Sequence, residues 1–189
     1  FFISPAYSVP TMITGLSFFD HGVTSRDSTL GEPATTLAEY LRDAGYRTAC
    51  FSATPNNTAA KGFEQGYDEF FELWHEAPHA KVRQPHYVTG RVTDWLRVLD
   101  DDRPLHLQVH YVPPHGPYIP GKPFDRFTDP SYDGPCQGLF PTLTGLEVGS
   151  IDPGNGCLDE VIGLYDGNLL AADDAVAVLL RSLERRARW

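Results

Sequence analysis

Two residues stand out for the chemistry their surroundings would permit. Ser8 opens the stretch Ser8-Val9-Pro10-Thr11-Met12-Ile13-Thr14-Gly15, which reads as a short helix with Pro10 near its start and Gly15 beyond its end. A helix start offers unpaired N–H groups and the positive end of the helix dipole, and both stabilise an anion. A hydroxyl nucleophile there would face a sulfate or phosphate ester. The same spacing also fits a serine that merely caps a short helix. His115 lies in Val112-Pro113-Pro114-His115-Gly116-Pro117-Tyr118, a loop expected to follow directly from a strand. Held between proline and glycine, its imidazole could give a proton or a hydrogen bond to an anionic substrate. The plainer alternative is a surface histidine in a packed loop. His110, on the strand itself, reads as a satisfied core residue or as support for a functional one.

The other ionisable clusters carry less. His75, His79 and His86 are close in sequence, but not at metal-ligand spacing on one helix face, and read as exposed loop residues. Asp100-Asp101-Asp102 reads as a solvated turn, and Asp173-Asp174 as a mid-helix pair with one member partly covered. Neither has the pattern of a calcium loop. Cys50, Cys136 and Cys157 form no C-x-x-C pair, which argues against zinc. Cys136 and Cys157 flank a Gly/Pro-rich segment and would pair in an oxidising compartment; the favoured reading is three free thiols.

The elements that must position these residues follow from periodicity. Phe1 to Ile3 reads as the end of a buried strand. Thr36-Leu37-Ala38-Glu39 is a capping box opening an amphipathic helix, with Leu37, Tyr40, Leu41 and Ala44 as its apolar face and Gly45 as its end. Residues 47–53 read as a strand, and 52–57 as turn chemistry. Residues 62–70 form a compact aromatic and glycine segment. A second helix spans 88–99, with Val92, Trp95, Leu96 and Leu99 at helical spacing. Residues 105–112 read as a strand, expected to be central. Residues 121–157 lack periodicity and read as a long loop insertion on the substrate side. A long helix covers 159–186, with Leu164, Leu169, Ala172, Val176, Leu179, Leu180 and Leu183 as its apolar face. Alternating helices and strands predict an α/β fold, a mostly parallel central sheet flanked by helices. In such sheets chemistry sits at the carboxyl ends of the strands, which singles out the loops after Ala53 and Val112.

Composition bounds the function. The 189 residues are 41% hydrophobic and 21% charged, as in a soluble globular domain, and support one core. A net charge of -10 argues against binding a nucleic-acid backbone. No apolar run is long enough to span a membrane. The chain opens on Phe1-Phe2-Ile3 in mid-pattern, so its location stays open and an internal fragment is expected.

Taken in order, several segments resemble the sulfatase family of the alkaline-phosphatase-like superfamily. They are Ser8 to Leu16, His21-Gly22-Val23, Thr36 to Glu39 with Ala44 to Thr48, Gly62-Phe63, Gly66-Tyr67-Asp68, Pro114 to Tyr118, and Tyr165-Asp166-Gly167 with Asp173. The resemblance implies a partial alkaline-phosphatase-like sandwich over 1–189. It places the family's nucleophile on Ser8, the first position of its Cys/Ser-x-Pro-x-Arg signature. There the family oxidises the residue to formylglycine, whose hydrate attacks sulfur. It places the sulfate-contacting, leaving-group histidine on His115. It also implies a divalent cation, calcium or magnesium, bound in part by the nucleophile and polarising the sulfate oxygens. Three departures stand out. Met12 occupies the signature Arg position. Ser52-Ala53-Thr54-Pro55 stands where a Gly-Lys-x-His segment is expected. The carboxylate pairs that would complete the metal site fall outside this sequence, leaving Ser8 as the one candidate ligand.

Three functions are therefore expected in order. The first is hydrolysis of a sulfate ester of a small molecule or carbohydrate. The second is phosphoester hydrolysis or phosphoryl transfer by an unmodified Ser8, since a phosphoserine can be hydrolysed or passed on. The third is a binding domain that keeps the fold without the chemistry.

Overall fold

A computed structural model of the chain describes residues 5–186. The Phe1–Ile3 segment lies outside them. The described chain begins with α1 (Pro5–Thr14), followed by a loop to α2 (Leu37–Asp43) and strand β1 (Arg47–Ser52). A 3-10 turn at Ala59–Lys61 precedes β2 (Glu69–Glu72). Next come the single-turn helices α3 (Leu73–Glu76) and α4 (His79–Val82), then α5 (Pro85–Val98) and β3 (Leu105–His110). The chain closes with α6 (Phe140–Glu147) and α7 (Cys157–Arg185).

The strands form a parallel sheet in the order β2-β1-β3. Register pairs Ala49 with Glu69 and with Leu107, and Ser52 with Glu72 and with His110. β1, not β3, is therefore the central strand among the described residues. Bonded on both sides, it is buried from Thr48 to Ser52, whereas β3 is half-buried throughout. Alternation splits β1 between two faces. Ala49, Phe51 and Ala53 pack with Val88, Val92 and Leu96 of α5 and Leu179 of α7. On the other face, Phe70 joins the cluster of Val9, Ile13, Val23, Leu30, Ala34 and Phe63 beneath α1. Cover on both faces is what a parallel sheet requires.

Local chemistry explains most boundaries. The capping box forms: Glu39 N–H donates to Thr36 Oγ1 at 3.2 Å, and Thr36 N–H to Glu39 Oε2 at 2.7 Å. The apolar face of α2 differs from expectation. Ala38 is the buried residue, while Leu37 and Tyr40 are exposed. The backbone of Ala38 and Glu39 sits against Gly66, where a Cβ would lie 2.2 Å from the Glu39 nitrogen. Such close approach is open only to small residues. The same rule redirects α7. Its inward face is Val161, Asn168, Ala171, Ala175 and Leu179, and the expected Leu169 and Leu180 are half exposed. Gly163 and Gly167 let the Phe127 and Phe124 carbonyls approach to where a Cβ would stand. The expected Leu179 and Leu183 do pack inward, so packing distance and hydrophobicity together select that face.

The expected 121–157 loop contains α6. Pro141 in its first turn was the available signal, but its inward residues are Thr142 and Gly145, so no apolar stripe marks it. This segment also holds a correction: Cys136 and Cys157 form a disulfide rather than free thiols. The cluster of Val161, Tyr118, Tyr132 and Leu143 brings their Cα atoms to 5.2 Å, within bridging distance. Cys50 is free and buried.

Candidate active site

The loops that leave the carboxyl edge of a parallel sheet are the natural place for a site. Three do so here: residues 53–58 after β1, α3 and α4 after β2, and residues 111–120 after β3.

His115 stands on the last of these, exposed, five residues past the end of β3. Its Nδ1 is 2.8 Å from the Gly116 carbonyl. A carbonyl can only accept, so Nδ1 carries the hydrogen and the neutral ring keeps its lone pair on Nε2. The ring meets Phe140 edge-on at 6.2 Å. The backbone is fixed from two sides. Arg83, just past α4, donates through Nη2 to the His115 carbonyl at 2.6 Å and also to the Gly116 carbonyl. On the other side, Tyr118 N–H donates to the Gly138 carbonyl at 2.6 Å, two residues from the disulfide. Gly116 packs closely: a Cβ would lie 2.8 Å from Leu143 Cδ1, the end of a side chain.

At the end of β1, Ser52 donates to the Asn57 carbonyl at 2.7 Å, which folds the 53–57 turn back on the strand. Asn57 is 1% exposed, and its Nδ2 has no partner among the described residues. His110 faces Ser52 in register, and burial pushes its imidazole below the usual value, favouring the neutral ring.

Ser8 is exposed on α1. The helix begins three residues earlier than the sequence suggests, so Ser8 lies in its first turn and Pro10 inside it. Pro5 opens the helix instead, a favoured first position for proline. Val9 and Ile13, one turn apart, anchor α1 in its cluster. His21 steadies it further. Val23 N–H donates to His21 Nδ1 at 3.1 Å, so Nε2 carries the hydrogen and donates to Thr11 Oγ1 at 3.1 Å. Burial lowers the His21 pKa and keeps that arrangement neutral.

Ser8 and His115 thus hang on different packing clusters, the first beneath α1 and the second between Arg83 and α6. Among the described residues no group of three or more His, Cys, Asp or Glu side chains could hold a metal ion. Hard divalent cations take six or more oxygens, or keep several waters on one or two carboxylates. The residues present do not fit calcium or magnesium by themselves. His75, His79 and His86 lie on α3, α4 and α5 rather than in loops, and His86 Nε2 is 2.7 Å from Asp174 of α7. Arg83 and Asn57 are further candidates that the sequence does not single out. Asn57 looked like turn chemistry, and no spacing rule marks Arg83.

The parallel sheet, its helical cover and the loops at its carboxyl edge define an alkaline-phosphatase-like α/β fold. The sulfatase family model matches residues 5–189, and the chain belongs to the sulfatase family. No curated protein matches it. One similar solved structure, described as bound to its substrate D-glucosamine-2-N,6-O-disulfate, is 16% identical with a TM-score of 0.69, covering 98% of this chain and 53% of that one. Another, a phosphonate monoester hydrolase of Agrobacterium radiobacter, is 20% identical with a TM-score of 0.67, covering 98% and 51%. The chain therefore spans about half the length of these two structures. No described helix is long and apolar enough to cross a membrane.

Proposed function

We propose that this chain forms part of a sulfatase-like hydrolase acting on a sulfate ester of a small molecule or carbohydrate. The observation that carries the reading is the family match over 5–189, with the nucleophile position, Ser8, exposed in the first turn of α1. The relative solved with a disulfated glucosamine supports a sugar ester as the substrate class. In this reading a hydroxyl of the hydrated formylglycine made from Ser8 attacks sulfur, the S–O bond to the alcohol breaks, and the sulfated hydrate then eliminates sulfate to return the aldehyde. His115 gives a proton to the departing alcohol oxygen, a role that requires the doubly protonated ring, since the neutral ring holds its hydrogen on Nδ1. The test is turnover of an aryl sulfate by the full-length protein. Ser8→Ala is expected to abolish it, and unchanged turnover would sink the reading.

A second reading is phosphoester chemistry by an unmodified Ser8. Met12 favours it: exposed on α1, it occupies the position of the Arg that guides oxidation in the sulfatase signature. The phosphonate monoester hydrolase among the similar structures points the same way. Mass spectrometry of the Ser8 peptide separates the two. Loss of two hydrogens supports formylglycine, and an unmodified peptide from an active enzyme supports phosphoryl chemistry.

A further inference from the structure

A cavity of about 500 Å³ opens between α4, the start of α5 and residues 113–124. That is the size of a small-ligand site. Its polar lining comprises two cations, Arg83 and Lys122, with His79, His86, Gln84 and Asn168. Among the described residues no Asp or Glu lines it, and Asp174, beside His86, is engaged by that ring. Phe124, stacked on His86 at 5.4 Å between centroids, and Ile119 supply apolar wall.

Arg83 connects this cavity to His115. Two of its five N–H groups, those on Nη2, hold the carbonyls of His115 and Gly116. The three on Nη1 and Nε have no partner among the described residues. Burial lowers the Arg83 pKa, as expected for a cation removed from water without a countercharge. Pro113 and Pro117, on either side of His115, also line the cavity. A group bound there would lie beside the loop that presents the imidazole.

We propose that this cavity is a subsite for a ring carrying a second anionic group, a carboxylate or a sulfate. The apolar wall covers the ring, and Arg83 and Lys122 bind the anion. As a leaving-group subsite it rests on the hydrolase reading. As an anion site it stands or falls by binding alone.

The binding experiment uses the full-length protein, with 4-hydroxybenzoate and phenol as probes in a calorimetric titration. The carboxylate is expected to bind at least about tenfold tighter than phenol, a difference typical of one charge-assisted hydrogen bond. Lys122→Gln, at an exposed position, and Arg83→Gln should each reduce that preference. Equal binding of the two probes, or a preference that survives in both variants, overturns the proposal. Binding of 4-hydroxybenzoate involves no ester cleavage, so an inactive enzyme leaves this test intact. For an active enzyme, the ratio of kcat/KM for 4-carboxyphenyl sulfate to that for phenyl sulfate should fall about tenfold in Lys122→Gln. An unchanged ratio removes the site from the leaving-group side.

Discussion

Arg83 holds His115 by its backbone and not by its ring: Nη2 donates to the His115 carbonyl at 2.6 Å, while the imidazole stays exposed. A residue on the β2 side of the sheet thereby sets the position of a loop that grows out of β3. Arg83→Ala is expected to cost about 2 kcal/mol, the scale of hydrogen bonds from a charged donor. Amide exchange in residues 115–118 should accelerate together with the loss in Tm. Arg83→Lys keeps one charged donor and should restore part of both. Unchanged exchange in that loop would show that Arg83 does not position it.

The disulfide closes a segment of 21 residues in sequence separation that contains α6. A loop of this size gives about 3 kcal/mol in the chain-entropy account. Replacing Cys136 and Cys157 together by alanine should lower stability by about that amount. Reductant should bring the native protein down to the level of the variant. A native Tm indifferent to reductant would contradict the bond.

Asp101 is not the idle member of a solvated turn. Hydrogen bonds from Arg103, with the Arg47 charge nearby, hold its carboxyl down at about 2. An unfolded Asp titrates near 3.9, so the unfolded chain binds more protons between those values. The stabilisation is therefore complete above about pH 4 and lost as pH falls through 2. Asp101→Asn should lower Tm at neutral pH, with the gap to the native protein closing toward pH 2. A gap of constant size across that range would refute the assignment.

Gly66 has φ +85°, and a Cβ on it would meet the backbone of α2 at 2.2 Å. Backbone cannot swing aside as a side chain can. Gly66→Ala is expected to cost about 3 kcal/mol or more, from left-handed strain plus overlap. Denaturant titration reads it directly, and a loss below about 1 kcal/mol would mean that α2 sits farther from the 62–66 turn.

Signals within a few residues of each other were legible in the sequence. The capping box at Thr36 and Glu39, the strand from Arg47 and the long C-terminal helix all appear where local chemistry puts them. β2 did not stand out, because Glu69-Phe70-Phe71-Glu72 is too short to show a period and forms by pairing with β1. The inward face of α2, and part of that of α7, differ from expectation because glycine and alanine mark close approach while leucine marks only hydrophobicity; Leu179 and Leu183 do face inward. As candidates, Ser8 and His115 stand out in the sequence through the helix start and the loop that carry them. Arg83 could not, since its partners lie 32 and 33 residues away. The pairing of Cys136 with Cys157 likewise depended on a cluster assembled from distant segments.

Cys50 sits at the middle of the central strand, 0% exposed, and burial pushes its thiol up to about 12. The other two cysteines are locked together, which leaves it as the single free thiol of the chain. A reagent in excess can reach it only when β1 parts from its neighbours. The protein thus carries a built-in clock for its own opening: the rate at which one label appears in the intact mass, under native conditions, counts excursions of the sheet. Bound ligands that tighten the fold should slow that clock.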